Sequence, residues 1–69
     1  MSQKIIYDLL KELGGNAFTS DISKLAKQKY PDATLHTYVY HRLRDLKKWG
    51  LIKKNTDGSW SIVEEYPRK

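Results

Sequence analysis

The chain has 69 residues, a formal net charge of +5 and no cysteine. A chain of this length forms one domain and buries only about 60% of its unfolded surface, which leaves no room for a deep pocket. The missing cysteines exclude disulfides and thiolate metal sites, and no apolar run approaches the ~20 residues that a membrane-spanning helix needs.

Ile5, Ile6, Leu9, Leu10 and Leu13 recur at helical spacing between Ser2, a suitable N-cap, and the stop Gly14-Gly15, which predicts an amphipathic helix. Residues 16–19, NAFT, leave space only for a strand fragment, with Phe18 turning its ring into the core. In TSDISKLAKQKYP, Thr19 or Ser20 caps a second helix and Asp21 faces the positive end of its dipole. Ile22, Leu25 and Ala26 share one face of that helix, and Pro31 ends it. Tyr7 and Tyr30 are expected to cement the first two helices together.

After PDA, Thr34 or Asp32 caps a third helix that runs to Gly50. Leu35, Val39, Leu43 and Leu46 fall within about 80° of one another around its axis and define the buried face. Opposite them lie Thr37, Tyr40, His41, Arg44 and Lys48, with His36 and Lys47 on one flank. Asp45 sits at the edge of that face beside Tyr38 and Trp49, which read as packing at the border of the core. Arg42 lies near the apolar face, where it is either a structural cation folded over the second helix or part of the polar surface.

The stretch LIKKNTDGSWSIVEEY holds two β-favouring runs around Asp57-Gly58, a dipeptide suited to a type I′ turn. It predicts a hairpin with Lys53 and Lys54 on the first strand and Trp60 either as the buried anchor of the wing, the favoured reading, or as an exposed aromatic at its tip. The tail, residues 65–69, has no periodicity and frays, with Tyr66 free to dock.

Charge is concentrated rather than spread. Residues 42–54 carry Arg42, Arg44, Lys47, Lys48, Lys53 and Lys54 against Asp45 alone. Such a cluster attracts polyanions and is the electrostatic footprint of nucleic-acid binding; the competing reading is a solvated face that serves solubility.

The order of helix, short strand, helix, short turn, helix and hairpin resembles a winged helix-turn-helix domain. TSDISKLAKQKYPDATLHTYVYHRLRDLKKWGLI is similar to the helix-turn-helix with its recognition helix, and KKNTDGSWSIV to the wing. The pattern L-x-x-L-x-x-x-G-L-I before a charged turn is shared with small bacterial and archaeal regulators of the MarR, ArsR and PadR types. The resemblance implies an α+β fold, three helices plus a C-terminal β-hairpin wing, in a single domain over residues 1–69. The helix-turn-helix then spans about 20–49 and the wing about 51–64. The extra dimerisation helices of MarR- and PadR-type proteins have no counterpart here, nor has a ligand-binding domain, so no small-molecule ligand is expected. Left-handed nucleic-acid binders of the Zα type share the size and a wing tryptophan. They carry asparagine and tyrosine, however, where alignment on Gly50 puts Tyr40 and Arg44.

In that architecture the third helix enters the major groove and the hairpin follows the backbone or the neighbouring minor groove. Thr37, Tyr40, His41 and Arg44 are the expected base readers. Arg44 offers two parallel donors to guanine, and Thr37 and His41 are short donors or acceptors. Tyr40 packs on sugar or a thymine methyl while its hydroxyl reaches a phosphate. Lys47, Lys48, Lys53 and Lys54 suit phosphates, as do Thr34 and His36 near the positive end of the helix dipole. The expected partner is double-stranded DNA, bound sequence-specifically by a small, cytoplasmic, nucleoid-associated transcriptional regulator. A homodimer on a two-fold site would add the contact area that one module lacks.

Two rivals share the fold: a protein-interaction module of a larger transcription or replication assembly, and a non-specific or architectural binder that uses the same lysines. Catalysis, cofactors and metals are not expected. No phosphate loop and no nucleophile with its base can be assembled, and His36 and His41 lie ~140° apart on a helix.

Overall fold

The computed structural model describes residues 2–31 and 38–67. Their order is α1 (Ser2–Glu12), β1 (Asn16–Ala17), α2 (Thr19–Lys29), α3 (Val39–Lys48), β2 (Ile52–Lys54) and β3 (Trp60–Ile62). The strands form one antiparallel sheet in the order β1-β3-β2, with Ala17 opposite Trp60 and Ile52 opposite Ile62. The fold is therefore α+β, three helices with a small three-stranded sheet.

The leucine and isoleucine spacing does what the helical period demands. Ile6, Leu9 and Leu10 of α1, Ile22 and Ala26 of α2, and Val39, Leu43 and Leu46 of α3 are all buried in one core. The sheet closes that core with Ala17, Ile52 and Trp60. Each fully buried aliphatic side chain contributes roughly 1.5–3 kcal/mol relative to exposure, so few of them suffice for a domain this small.

The turns out of α1 and α3 are both built from glycine. After α3 the Gly50 N–H donates to the Lys47 carbonyl at 2.9 Å and the Leu51 N–H to the Leu46 carbonyl at 3.0 Å. This is the Schellman pattern, and Gly50 takes the left-handed conformation it requires, with φ of 80°. The turn drops Leu51 straight into the core, so WGLI works as one device that stops the helix and starts the strand. Gly14 and Gly15 end α1 by the same pair of bonds, to Lys11 and Leu10.

Several local expectations change. The second helix begins after Phe18, not after Thr19 or Ser20; Asp21 accepts the Phe18 N–H at 3.3 Å. Thr19 is occupied elsewhere, because its hydroxyl accepts the indole N–H of Trp60 at 2.9 Å. The Phe18 ring is exposed rather than in the core, since the two-residue β1 points Ala17 inward instead. Tyr30 and Leu13 are exposed as well, at helix ends that overhang the core. The third helix is described from Val39, with Tyr38 as its non-helical N-cap; the expected earlier start, with Thr34 or Asp32 as cap and Leu35 on its buried face, lies outside the described residues.

The hairpin turn also differs from a two-residue type I′ loop. Asp57 keeps a negative φ and only Gly58 is left-handed, at 94°. Asn55 pairs with Ser59 across a three-residue loop, its N–H donating to the Ser59 carbonyl at 2.7 Å while the Gly58 N–H donates to the Asn55 carbonyl at 3.0 Å. The Asp57 carboxylate accepts both the hydroxyl and the N–H of Ser59, at 2.7 and 2.9 Å, which holds its pKa below the usual carboxylate value. The tail is tied down as far as Tyr66. Tyr7, buried in α1, donates its hydroxyl to the Glu64 carbonyl at 2.8 Å, and its ring meets that of Tyr66 at 5.5 Å.

Candidate nucleic-acid interface

The core stripe of α3 dictates its opposite face. With Val39, Leu43 and Leu46 turned inward, the intervening Tyr40, His41, Arg44, Lys47 and Lys48 must point out, and all five are exposed. Residues four apart on a helix stack one above the other, so Tyr40, Arg44 and Lys48 form a row along this face.

The second wall is the hairpin. Side chains alternate along a strand, so Ile52 facing the core obliges Lys54 to the same side and sends Lys53 to the other. Lys54 lies directly opposite Trp60 in the strand register. Its ammonium sits 5.3 Å from the centre of the Trp60 ring and 5.8 Å from that of Tyr40. The two rings meet edge-on at 6.3 Å. Trp60 is 1% exposed and is fixed from beneath by its bond to Thr19. One aromatic pair thus joins α3 to the hairpin, with a lysine across both rings.

Between α3 and β2 lies an open concavity of about 880 Å³. It brings together Tyr40, His41, Arg44, Lys47, Lys48 and Lys54 of the expected site. Lys53 is exposed but is not among its lining residues. Thr34, His36 and Thr37 lie outside the described residues. Five cations and one carboxylate line the surface, and the carboxylate, Asp45, is held at 3.6 Å by Arg42 of the same helix. This local pairing removes the one negative charge, so the concavity is strongly positive and suited to a polyanion.

The Arg42 guanidinium lies between Asp45 and the Tyr38 ring, 6.0 Å away, and its Nε is buried with no hydrogen-bond partner among the described residues. Tyr38 and Trp49 are not packed at the border of the core, being 49% and 55% exposed. Of the four positions Tyr38, Arg42, Asp45 and Trp49, Arg42 meets both Asp45 and the Tyr38 ring, while Tyr38 and Trp49 keep about half of their surface exposed.

What sequence reading missed is the bracing of the site by Trp60 and Thr19. No local pattern signals a contact between residues 41 positions apart. Among the described residues no group of three histidine or acidic side chains is placed to hold a metal, and no helix is long and apolar enough to cross a membrane. Comparison with protein-family models, with curated proteins and with solved structures gives no match to this chain.

Proposed function

We propose that this chain is a winged helix-turn-helix domain that binds double-stranded DNA sequence-specifically, as a small transcriptional regulator. The observation that carries the reading is the single positive concavity in which Arg44, Lys47 and Lys48 of α3 face Lys54 of β2 across a braced aromatic pair. The helix order and a sheet in which the hairpin pairs with a short strand after α1 support the same architecture. On this reading α3 lies in the major groove, Arg44 offers its fork of donors to a guanine edge, and His41 reads a neighbouring base. Lys47, Lys48 and Lys54 neutralise phosphates, which contributes affinity without sequence information.

The test is selection from a random duplex pool at two salt concentrations, followed by sequencing of the bound fraction. An enriched motif whose affinity falls with salt is expected, two-fold symmetric if the protein binds as a homodimer. Arg44→Ala should weaken the preferred site by about 1–3 kcal/mol and relax preference at one base; an unchanged preference sinks the base-reading role. Salt-dependent binding without a motif would favour an architectural binder. A second reading, a protein-interaction module, is favoured by the exposure of Tyr38 and Trp49 at the two ends of α3. It requires that duplex binding be absent at low salt.

A further inference from the structure

Within the proposed DNA-binding surface, we infer that Lys54 and Tyr40 form a dedicated seat for one backbone phosphodiester, with the buried Trp60 ring as its floor. The inference rests on that reading and assigns to Tyr40 a different part from base recognition. The Tyr40 ring is committed sideways, edge-on to Trp60 at 6.3 Å and under the Lys54 ammonium. It occupies the flank of α3 next to the hairpin.

Three properties mark the seat as an anion site. The Lys54 charge is unspent, because among the described residues no carboxylate pairs with it. It also lies against two of the protein's own rings. A lysine side chain ordinarily loses much rotamer freedom on binding, and two ring faces that already hold the ammonium reduce that loss. Finally, the Tyr40 hydroxyl is a neutral donor on the same wall of the concavity, 46% exposed as a residue and so open to solvent and ligand. An ammonium and a phenol donor on one wall match the monoanionic, multiply accepting oxygens of a phosphodiester, and the ring faces beneath hold the ammonium rather than the anion. Lys53, the next residue, is likewise unpaired among the described residues, but it points away from the concavity and holds no ring.

Neighbouring lysines supply the control. Binding of a labelled random-sequence duplex pool is measured across a salt series for the parent, Lys54→Gln, Lys53→Gln and Tyr40→Phe. The seat predicts that Lys54→Gln lowers the slope of log affinity against log salt by about 0.9, one phosphate's worth of counterion release, while Lys53→Gln leaves it at the parent value. Tyr40→Phe keeps the ring and loses the donor, so affinity falls about tenfold for every sequence and the enriched motif does not change. Equal slopes for the two lysine variants, or a changed motif for Tyr40→Phe, with parent binding intact, overturn the seat alone. A parent that binds no duplex at low salt overturns the DNA reading and the seat with it.

Discussion

Two places in this molecule set a lysine over an aromatic pair, and they do opposite things. At one, Tyr7 and Tyr66 meet at 5.5 Å with Lys4 lying 5.8 Å over the Tyr66 ring. At the other, Tyr40 and Trp60 meet at 6.3 Å beneath Lys54. The difference is a carboxylate. Lys4 is bonded to Asp8 at 3.0 Å, one turn along its own helix, so its charge is spent within the fold. Lys54 has no such partner among the described residues, and the same arrangement becomes an outward-facing cation. A cation on an aromatic pair is thus spent within the fold or left facing outward according to where the nearest acid lies.

The comparison breaks most severely at Trp60. Trp60→Ala removes a fully buried ring and leaves Thr19 without its donor, and should cost about 3–5 kcal/mol in urea unfolding followed by circular dichroism. That is a large part of the stability of a small domain. Tyr66→Ala, at the other cluster, removes a half-buried ring from the tail and should cost about 1–2 kcal/mol by the same measurement. Duplex affinity should stay unchanged in this variant, since the Tyr7 cluster takes no part in the concavity. The smallest effect belongs to Lys4→Gln, which removes an exposed helical ion pair and should shift stability by less than about 0.5 kcal/mol. The salt slope of DNA binding should not move, in contrast to Lys54→Gln; a matching drop in the two variants would mean that lysines act here only through net charge.

Much of the architecture was legible because it follows from short-range rules. The helical spacing of Ile6, Leu9 and Leu10, the stop at Gly14-Gly15 and the WGLI device after α3 all operate within a few residues, and each is where the sequence put it. The outward face of α3 follows from the inward one, so Tyr40, His41, Arg44, Lys47 and Lys48 are legible as a group from the helical period alone. What failed depended on distant partners. Thr19 was a credible cap until Trp60 claimed its hydroxyl, and Phe18 a credible core residue until β1 turned Ala17 inward. Lys53 and Lys54 were indistinguishable in sequence, because the parity of a strand is set by which neighbour is buried. Asp57-Gly58 suggested a two-residue turn, but the Asn55 to Ser59 pairing makes room for a third residue.

The sheet order has a consequence for how the chain is made. β3 comes last of the three strands in sequence yet lies in the middle, the neighbour of both β1 and β2. During synthesis from the N-terminus, the helices and two strands emerge while the strand that must join them is still inside the ribosome. Neither β1 nor β2 then has a backbone partner, and Trp60 is not yet there to close the core. Long-range pairings of this kind come at the end of folding, after the entropy of loop closure has been met. The sheet side of the core therefore stays open until β3 has emerged.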